Sequence, residues 1–300
     1  MASAPAPIVI LGTGRSFTSV ISCMIGQHPD MVGLPETNIF LYDKIGTLWK
    51  QFGFGVNRQR RAGLLRTLAH FHDGAQTEET IAKAEAFIQE HLDWTSLEIA
   101  QHLTKLASPK GIVEKSISTA RGADTLRRVH EAWPNAKYIH ITRQPEDIMQ
   151  SVDKRLARAI EQGKTGWMMR KAEIYSSTDY YNDFTIAILE FMASLPPGTC
   201  MDLRGEDFLT DARFYTRQIC EWAGLRVDDA VIEGMMHPEN NPFAFLGPST
   251  ALRGLSPTFI DNPHYSGEPV PIKALSNRAD DEMEPGKRKA VLLANRLGYE

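Results

Sequence analysis

The 300-residue sequence has few cysteines, no long hydrophobic run and no surplus of basic residues. No stretch approaches about 18 apolar residues, so we expect no membrane-spanning helix. The formal net charge is -4, which argues against a general nucleic-acid binder, because such a protein needs positive charge to neutralise phosphates. The three cysteines, Cys23, Cys200 and Cys220, are too scattered for a metal cluster or a disulfide framework, which favours a reducing compartment.

The N-terminus also lacks the basic start and the apolar core of a secretion signal, so we expect a soluble, cytoplasmic protein. With 42% hydrophobic residues the chain can bury a sizeable core, and we expect one domain over residues 1–300. The oligomeric state is left open by the sequence, with a homodimer as one option.

Short apolar runs alternate with helical patterns, which predicts an α/β fold with a central parallel β-sheet flanked by helices. The predicted strands are 8–11, 111–116, 137–142 and 199–203, and the predicted helices include 17–25, 119–132, 145–159, 208–223 and 280–297. Three longer regions are a helical insertion at 41–110 with a start signal at 77–80, a mostly helical stretch at 164–194, and a C-terminal loop region at 238–275. Ligands are expected beyond the carboxyl ends of the strands, where the loops after Leu11, Ser116 and Thr142 converge.

The first strand runs into the loop GTGRSFTS, which has the layout of a phosphate-binding loop. A Walker A loop requires G-x-x-x-x-G-K-[ST], but here Phe17 replaces the second glycine and Thr18 replaces the lysine. The cation comes earlier, as Arg15, and the start of the following helix favours an anion. The candidate binding residues of this loop are Gly12, Thr13, Gly14, Arg15, Ser16, Phe17, Thr18 and Ser19. A plain strand-to-helix turn is the alternative interpretation.

A second motif, RQPEDIMQS, follows the strand 137–142. Arg143 closes that strand, and Ser151 lies about two turns into the next helix. An arginine at a strand end can bind a phosphate through two parallel hydrogen bonds, and the serine can share that phosphate. Taken alone, a solvated arginine and an ordinary helix serine explain the motif equally well.

Together the two motifs resemble those of the sulfotransferases that use 3′-phosphoadenosine 5′-phosphosulfate (PAPS). GTGRSFTS is similar to their loop G-x-[PG]-[RK]-S-G-T-[TS], and RQPED with Ser151 is similar to R-x-P-x-D-x-x-x-S. Weaker similarities are found in GQHPDMVGLPETNIF, VEKS and DLRGEDFLTDARFYTRQICEWAGL. The resemblance covers roughly residues 8–40 and 111–226, and it implies a P-loop-NTPase-like sulfotransferase fold.

The resemblance implies that sulfonate passes from PAPS to a hydroxyl or amine of a small molecule or glycan, with 3′-phosphoadenosine 5′-phosphate (PAP) released and no metal ion. The first loop would then bind the 5′-phosphosulfate, and Arg143 with Ser151 would bind the 3′-phosphate. Arg253 and Gly254 are similar to an Arg-and-Gly element that closes over the 3′-phosphate in the family. Phe17 departs from the usual glycine, and its place on the apolar stripe of the helix predicts a side chain directed into the core.

Sulfonyl transfer depends mainly on positioning and on stabilising the charge that develops on the bridging oxygen. Arg15 and Lys115 are the candidates for stabilising that charge. Glu36, in GLPETNIF, is the first candidate for the base that takes the acceptor proton, and a carboxylate at a helix start is the alternative explanation for it. The other residues considered as a base or as part of an acceptor site are His28, His70, His72, His140, Asp179, Tyr180, Tyr181 and Asp183, and a structural role is favoured for His28 and His140.

Two other function classes compete with this interpretation. A nucleotide-dependent kinase with an altered loop would need the missing lysine and a Mg²⁺-binding carboxylate at a strand end, for which Glu114 is the nearest residue. A non-catalytic nucleotide-binding protein on the same fold is the second alternative. The sequence does not identify the acceptor.

Overall fold

The computed structural model describes residues 4–53, 55–161, 176–275 and 282–300. The strands of these residues are β1 (Ile8–Leu11), β2 (Met31–Gly33), β3 (Gly111–Glu114), β4 (Lys137–Thr142) and β5 (Cys200–Arg204). The α-helices before β3 are α1 (Thr18–Ile25), α2 (Ile45–Gln51), α3 (Ala62–Asp73), α4 (Glu78–Glu90) and α5 (Ser96–Ala107). Those after β3 are α6 (Ala123–Ala132), α7 (Pro145–Glu161), α8 (Ser177–Ala193), α9 (Gly205–Thr210), α10 (Ala212–Ala223), α11 (Asp229–Met235), α12 (Pro257–Ile260) and α13 (Pro285–Arg296). Short 3₁₀ turns cover Ile39–Leu41, Gly55–Arg61, Ile117–Arg121, Pro238–Asn240 and Ser249–Ala251.

The five strands form one parallel sheet in the order β2-β3-β1-β4-β5, so the predicted parallel sheet is confirmed. β1 lies at its centre, with Ile8 opposite both Val113 of β3 and Lys137 of β4. The sequence analysis did not predict β2, which has three residues and borders the sheet beside β3. A central strand with neighbours on both sides brings the loops after β1, β3 and β4 to one edge of the sheet.

Helices cover both faces of the sheet, and the sequence of β1 shows why. Ile8, Val9, Ile10 and Leu11 are all buried, because alternate side chains of a strand point to opposite faces. Val9 and Leu11 belong to a core shared with α2 to α6. Ile8 and Ile10 belong to a second core shared with α1, α10 and α11.

The region 41–110 contains α2 to α5, and its predicted start signal is confirmed. The Thr77 hydroxyl accepts a hydrogen bond from the Thr80 amide at 3.2 Å, and the Thr80 hydroxyl accepts one from the Thr77 amide at 2.9 Å. This reciprocal pair satisfies amide groups that the first turn of a helix would leave without partners. No helix in the described part of the chain has the length and apolar character to cross a membrane.

Several boundaries differ from the sequence prediction. The predicted helix 208–223 is two helices, because Asp211 leaves the helical conformation at φ -135° and ψ 66° and its carboxylate caps the Phe214 amide at 3.2 Å. The predicted helix 119–132 begins as a 3₁₀ turn and continues as α6. Of the predicted helical stretch 164–194, residues 164–175 lie outside the described residues, and α8 begins after Ser176, whose hydroxyl accepts from the Asp179 amide.

Candidate active site

The loop after β1 is pressed against the neighbouring strand β4. A Cβ atom at Gly12 would lie 2.7 Å from the carbonyl oxygen of Ile141, so only glycine fits at this position. Within the loop, the Thr13 and Ser16 hydroxyls are 2.7 Å apart and both residues are buried. The loop therefore follows one tightly packed path from β1 to the start of α1.

Two residues of this loop have left-handed backbone conformations, Arg15 at φ 80° and Phe17 at φ 60°. A left-handed conformation is unfavourable for a side chain with a Cβ atom, and glycine adopts it without that cost. The glycine usual at the Phe17 position thus has a conformational explanation. The Phe17 ring packs on the core shared with α1 and α10, as its place on the apolar stripe predicts, and its centroid lies 4.5 Å from the Arg143 guanidinium carbon.

The second motif is in direct contact with this loop. Arg143 donates from Nη1 to the carbonyl oxygen of Arg15 at 2.8 Å, and Arg15 donates from Nε to the Ser151 hydroxyl at 2.8 Å. Arg143 also donates from Nη2 to Asp147 at 3.2 Å, whereas its Nε is buried with no hydrogen-bond partner among the described residues. Two segments that are far apart in the sequence therefore form one cluster of donors.

This cluster carries concentrated positive charge. Burial is the main cause that lowers the pKa of Arg15, and the charges of Arg155 and Arg143 lower it further. Like charges repel, so their assembly at one loop is stabilised by an anionic ligand. The local charge contrasts with the net charge of -4 for the whole chain.

Glu36 and Lys115 form an ion pair beside the loop. Lys115 follows β3, and its Nζ lies 2.5 Å from Glu36 Oε1. The Lys115 side chain is 1% exposed, whereas that of Glu36 is 30% exposed and is accessible to a ligand. Glu36 lies between β2 and the 3₁₀ turn Ile39–Leu41, and Asn38, not Glu36, is the residue at the start of that turn. A helix-start role therefore does not account for Glu36.

The main chain around Glu36 is fixed by close contacts from two other segments. The Glu36 amide donates to the Gly254 carbonyl oxygen at 2.5 Å. A Cβ atom at Gly63 would overlap the carbonyl oxygen of Glu36. Glu36 is thus held between the start of α3 and the C-terminal loop region.

That C-terminal loop also reaches the first loop. The Ser256 amide donates to the Ser19 hydroxyl at 3.3 Å, at the start of α1. Arg253 lies between Gly254 and the 3₁₀ turn before it, and its Nε is buried without a hydrogen-bond partner in the part of the chain that the structure describes. The structure therefore brings the loop that holds Arg253 and Gly254 to the same place as Glu36 and Ser19.

Tyr180, which the sequence analysis considered for an acceptor site or an ordinary helix surface, is in contact with the first loop. Its hydroxyl accepts a hydrogen bond from the Gly14 amide at 2.7 Å. Burial raises the pKa of Tyr180 to about 12, so the hydroxyl stays protonated at neutral pH. No local pattern predicts this contact, because the first turn of α8 is equally consistent with an ordinary helix surface.

Glu114, the carboxylate considered for a kinase, has a structural role. It is fully buried, and it accepts hydrogen bonds from the Ser116 amide at 2.8 Å and the Thr119 hydroxyl at 3.3 Å. Burial raises its pKa to about 7, against the smaller opposing effect of these hydrogen bonds. Glu114 therefore fixes the turn after β3, which positions Lys115.

The histidines considered as bases make their contacts with residues other than Glu36 and Lys115. His140 is buried, and its Nδ1 lies 2.9 Å from Asp202, while His28 is fully buried with both ring nitrogens hydrogen-bonded to main-chain atoms. His70 and His72 lie on α3 and pack against aromatic rings. The structural role favoured for His28 and His140 agrees with these contacts.

The comparisons with known proteins agree with the two motifs. The profile described as the sulfotransferase family matches residues 7–229. Among solved structures, the chain is similar to a sulfotransferase domain from the curacin biosynthetic pathway, with a TM-score of 0.73 and 18% identity over 100% of this chain and 99% of that one.

It is also similar to a sulfotransferase domain from the olefin synthase of Synechococcus PCC 7002, with a TM-score of 0.72 and 18% identity over 100% of this chain and 97% of that one. At these identities the similarity shows the fold, the P-loop-like fold of sulfotransferases. No curated protein matches the chain. Because the family profile spans most of the sheet and both motifs, the chain belongs to the sulfotransferase family.

Proposed function

We propose that this family member transfers the sulfonate group of PAPS to a hydroxyl or amine of a small molecule or glycan and releases PAP. The observation that carries the proposal is the direct link between the two motifs. Arg15 donates to Ser151, and Arg143 donates to the main chain of Arg15. A 5′-phosphosulfate site and a 3′-phosphate site must adjoin each other to bind one nucleotide, and the link between the two motifs supports such an arrangement.

The residues present fit such a nucleotide. Arg143 and Arg253 each keep a buried guanidinium nitrogen without a partner among the described residues, and an unpaired buried donor is costly unless a ligand satisfies it. We assign Arg143, Ser151, Arg253 and Gly254 to the 3′-phosphate.

The 5′ end would be held by the residues of the first loop, Gly12, Thr13, Gly14, Arg15, Ser16, Phe17, Thr18 and Ser19. PAPS supplies the electrophilic sulfur and a leaving oxygen that already carries phosphate, so no metal ion is assigned to this chemistry.

We assign the base to Glu36. In that role its carboxylate takes the proton of the acceptor as the acceptor oxygen or nitrogen bonds to sulfur and the sulfur–oxygen bond to PAP breaks. Lys115 holds the carboxylate at 2.5 Å. We also assign Lys115 the role of a second cation that offsets the negative charge developing on the leaving oxygen. Arg15 stabilises the charge on the leaving oxygen, since its guanidinium is part of the loop that holds the 5′ end.

Product formation tests the proposal against both alternatives. The protein is incubated with PAPS and a panel of alcohols, amines and glycans, and mass spectrometry measures the sulfonated acceptor and PAP together. We expect equal amounts of the two products and no phosphorylated product when ATP replaces PAPS. Phosphoryl transfer from ATP would support a kinase, and PAP binding without turnover on any acceptor would support a non-catalytic nucleotide-binding protein.

A further inference from the structure

Three arginines to which the donor site assigns no ligand contact, Arg60, Arg121 and Arg155, come together near Glu36. Arg60 lies in the 3₁₀ turn Gly55–Arg61, Arg121 ends the 3₁₀ turn after β3, and Arg155 lies on α7. All three side chains are exposed. They come from three separate segments of the chain, so their proximity is a property of the fold.

Arg60 is tied to the main chain that carries Glu36. The Asn38 side-chain amide donates to the carbonyl oxygen of Glu36 at 3.2 Å and to that of Arg60 at 3.1 Å. The Arg60 guanidinium carbon lies 5.1 Å from the centroid of the Phe52 ring, which orients the side chain. Arg60 therefore adjoins the proposed base.

The three charges act on one another. Desolvation is the main cause that lowers the pKa of Arg60, the charge of Glu36 opposes it, and the charges of Arg121 and Arg155 lower it further. Arg155 also lowers the pKa of Arg15. The charge of Arg155 thus acts both on Arg15 of the donor loop and on Arg60.

These arginines have no carboxylate partner within the described ranges of the chain. Two other arginines of the same 3₁₀ turn, Arg58 and Arg61, both pair with Glu85. Glu85 on α4 thus provides a counter-ion for Arg58 and Arg61, and it does not pair with Arg60. Unpaired like charges beside a base are stabilised by an anion that binds there.

We propose that the acceptor carries an anionic group, a phosphate or a carboxylate, which Arg60 and Arg121 bind with a contribution from Arg155. This inference rests on the proposed function, since it places the acceptor at Glu36. Arginine binds such groups through two parallel hydrogen bonds, so the anion orients the acceptor and its hydroxyl reaches the base. A neutral alcohol of the same shape lacks this anchor.

The test is calorimetric titration of the PAP-saturated protein with three matched alcohols, glycerol 3-phosphate, glycerate and glycerol. We expect a charged alcohol to bind and glycerol not to bind, and the two charged probes distinguish phosphate from carboxylate. Arg60→Gln and Arg121→Gln should each lower the affinity for the charged alcohol at least about tenfold, which is the loss expected when a hydrogen bond to a charged group is removed. Arg58→Gln is the matched control on the same turn and should change nothing.

Three results overturn the inference: glycerol binding as well as the charged alcohols, no binding of either charged alcohol, or unchanged affinity in both arginine variants. If Arg60→Gln lowers the affinity for PAP as much as the affinity for the charged alcohol, the arginines bind the nucleotide and the inference is also wrong. Saturating the wild type with PAP before the titration tests the donor site separately. A wild-type protein that does not bind PAP contradicts the proposed function itself. Both variants replace exposed side chains, and circular dichroism verifies that they remain folded.

Discussion

Replacing Glu36 by glutamine tests the proposed base, and we expect the change to affect stability as well as activity. Glutamine keeps an oxygen that accepts from Lys115, but it removes the charge that balances this buried ammonium. Removing one partner of a buried ion pair costs about 3–5 kcal/mol. Because the Glu36 side chain is 30% exposed and glutamine retains the hydrogen bond, we expect a smaller loss, about 1–3 kcal/mol.

The same variant should lose about 10²- to 10⁴-fold in turnover, the contribution typical of a general base. A second variant separates the two effects. Lys115→Met removes the buried charge, so the double variant of Glu36→Gln with Lys115→Met has no unpaired ion and should regain most of the lost stability. We expect it to stay inactive, because the base is still missing and the cation assigned to Lys115 is lost as well.

Urea unfolding measures the free energy of unfolding of the wild type and the three variants, and PAP release measures their turnover. Retention of activity in Glu36→Gln would refute the assignment. Recovery of activity together with stability in the double variant would also refute it, because Glu36 would then act only by neutralising Lys115.

Three further predictions concern other residues of the site. Arg15→Ala should lower kcat more than it weakens PAP binding, because the charge on the leaving oxygen develops in the transition state; steady-state kinetics in which only the KM for PAPS changes would contradict this. Phe17→Gly should lower the melting temperature, because the loss of the packed ring costs about 3 kcal/mol of folding free energy. Glycine relieves the left-handed backbone and recovers only about 1 kcal/mol of this loss. A variant more stable than the wild type would contradict this prediction. The raised pKa of Glu114, about 7 in the folded chain against an ordinary 4.5, means that the wild type loses stability as the pH rises from about 4.5 to 7. Glu114→Gln should therefore gain up to about 3 kcal/mol over the wild type above pH 7 and nothing below pH 4.5, measured by unfolding across this range.

The elements with a strong local signal could be predicted from the sequence. β1 is a continuous apolar run that ends at a glycine, and α1 follows with a clear apolar stripe. β4 is rich in β-branched and aromatic residues and ends before a strand-closing arginine. The Thr77 capping box is likewise a local pattern. β2 was missed because Met31–Gly33 has three residues, too few to show a periodicity, and it forms a strand only by pairing with β3.

The contacts that define the site could not be predicted, because they join residues that are distant in the sequence. The resemblance of the two motifs to those of the sulfotransferases placed Arg15 and Ser151 near one nucleotide, but not in contact with each other. The ion pair of Glu36 with Lys115 depends on how β3 and the loop after β2 pack, and Tyr180 reaches Gly14 only because α8 lies over the loop. Such contacts depend on tertiary packing, which local sequence patterns do not indicate.

The most direct test of a PAPS-dependent function is the affinity for PAP and for ADP, measured by calorimetry in the wild type and in Arg143→Ala. Only PAP carries the 3′-phosphate, so the wild type should bind PAP more tightly than ADP. Arg143→Ala should make the free energy of PAP binding about 1.5–3 kcal/mol less favourable and leave the affinity for ADP nearly unchanged.

The matched control is Arg204→Ala, because Arg204 also stands at a strand end, pairs with a nearby carboxylate and lies on the adjacent strand β5. It should bind both nucleotides as the wild type does. Equal loss of PAP and ADP binding in Arg143→Ala, or a wild type that does not distinguish the two nucleotides, would contradict the assignment of this site to PAPS.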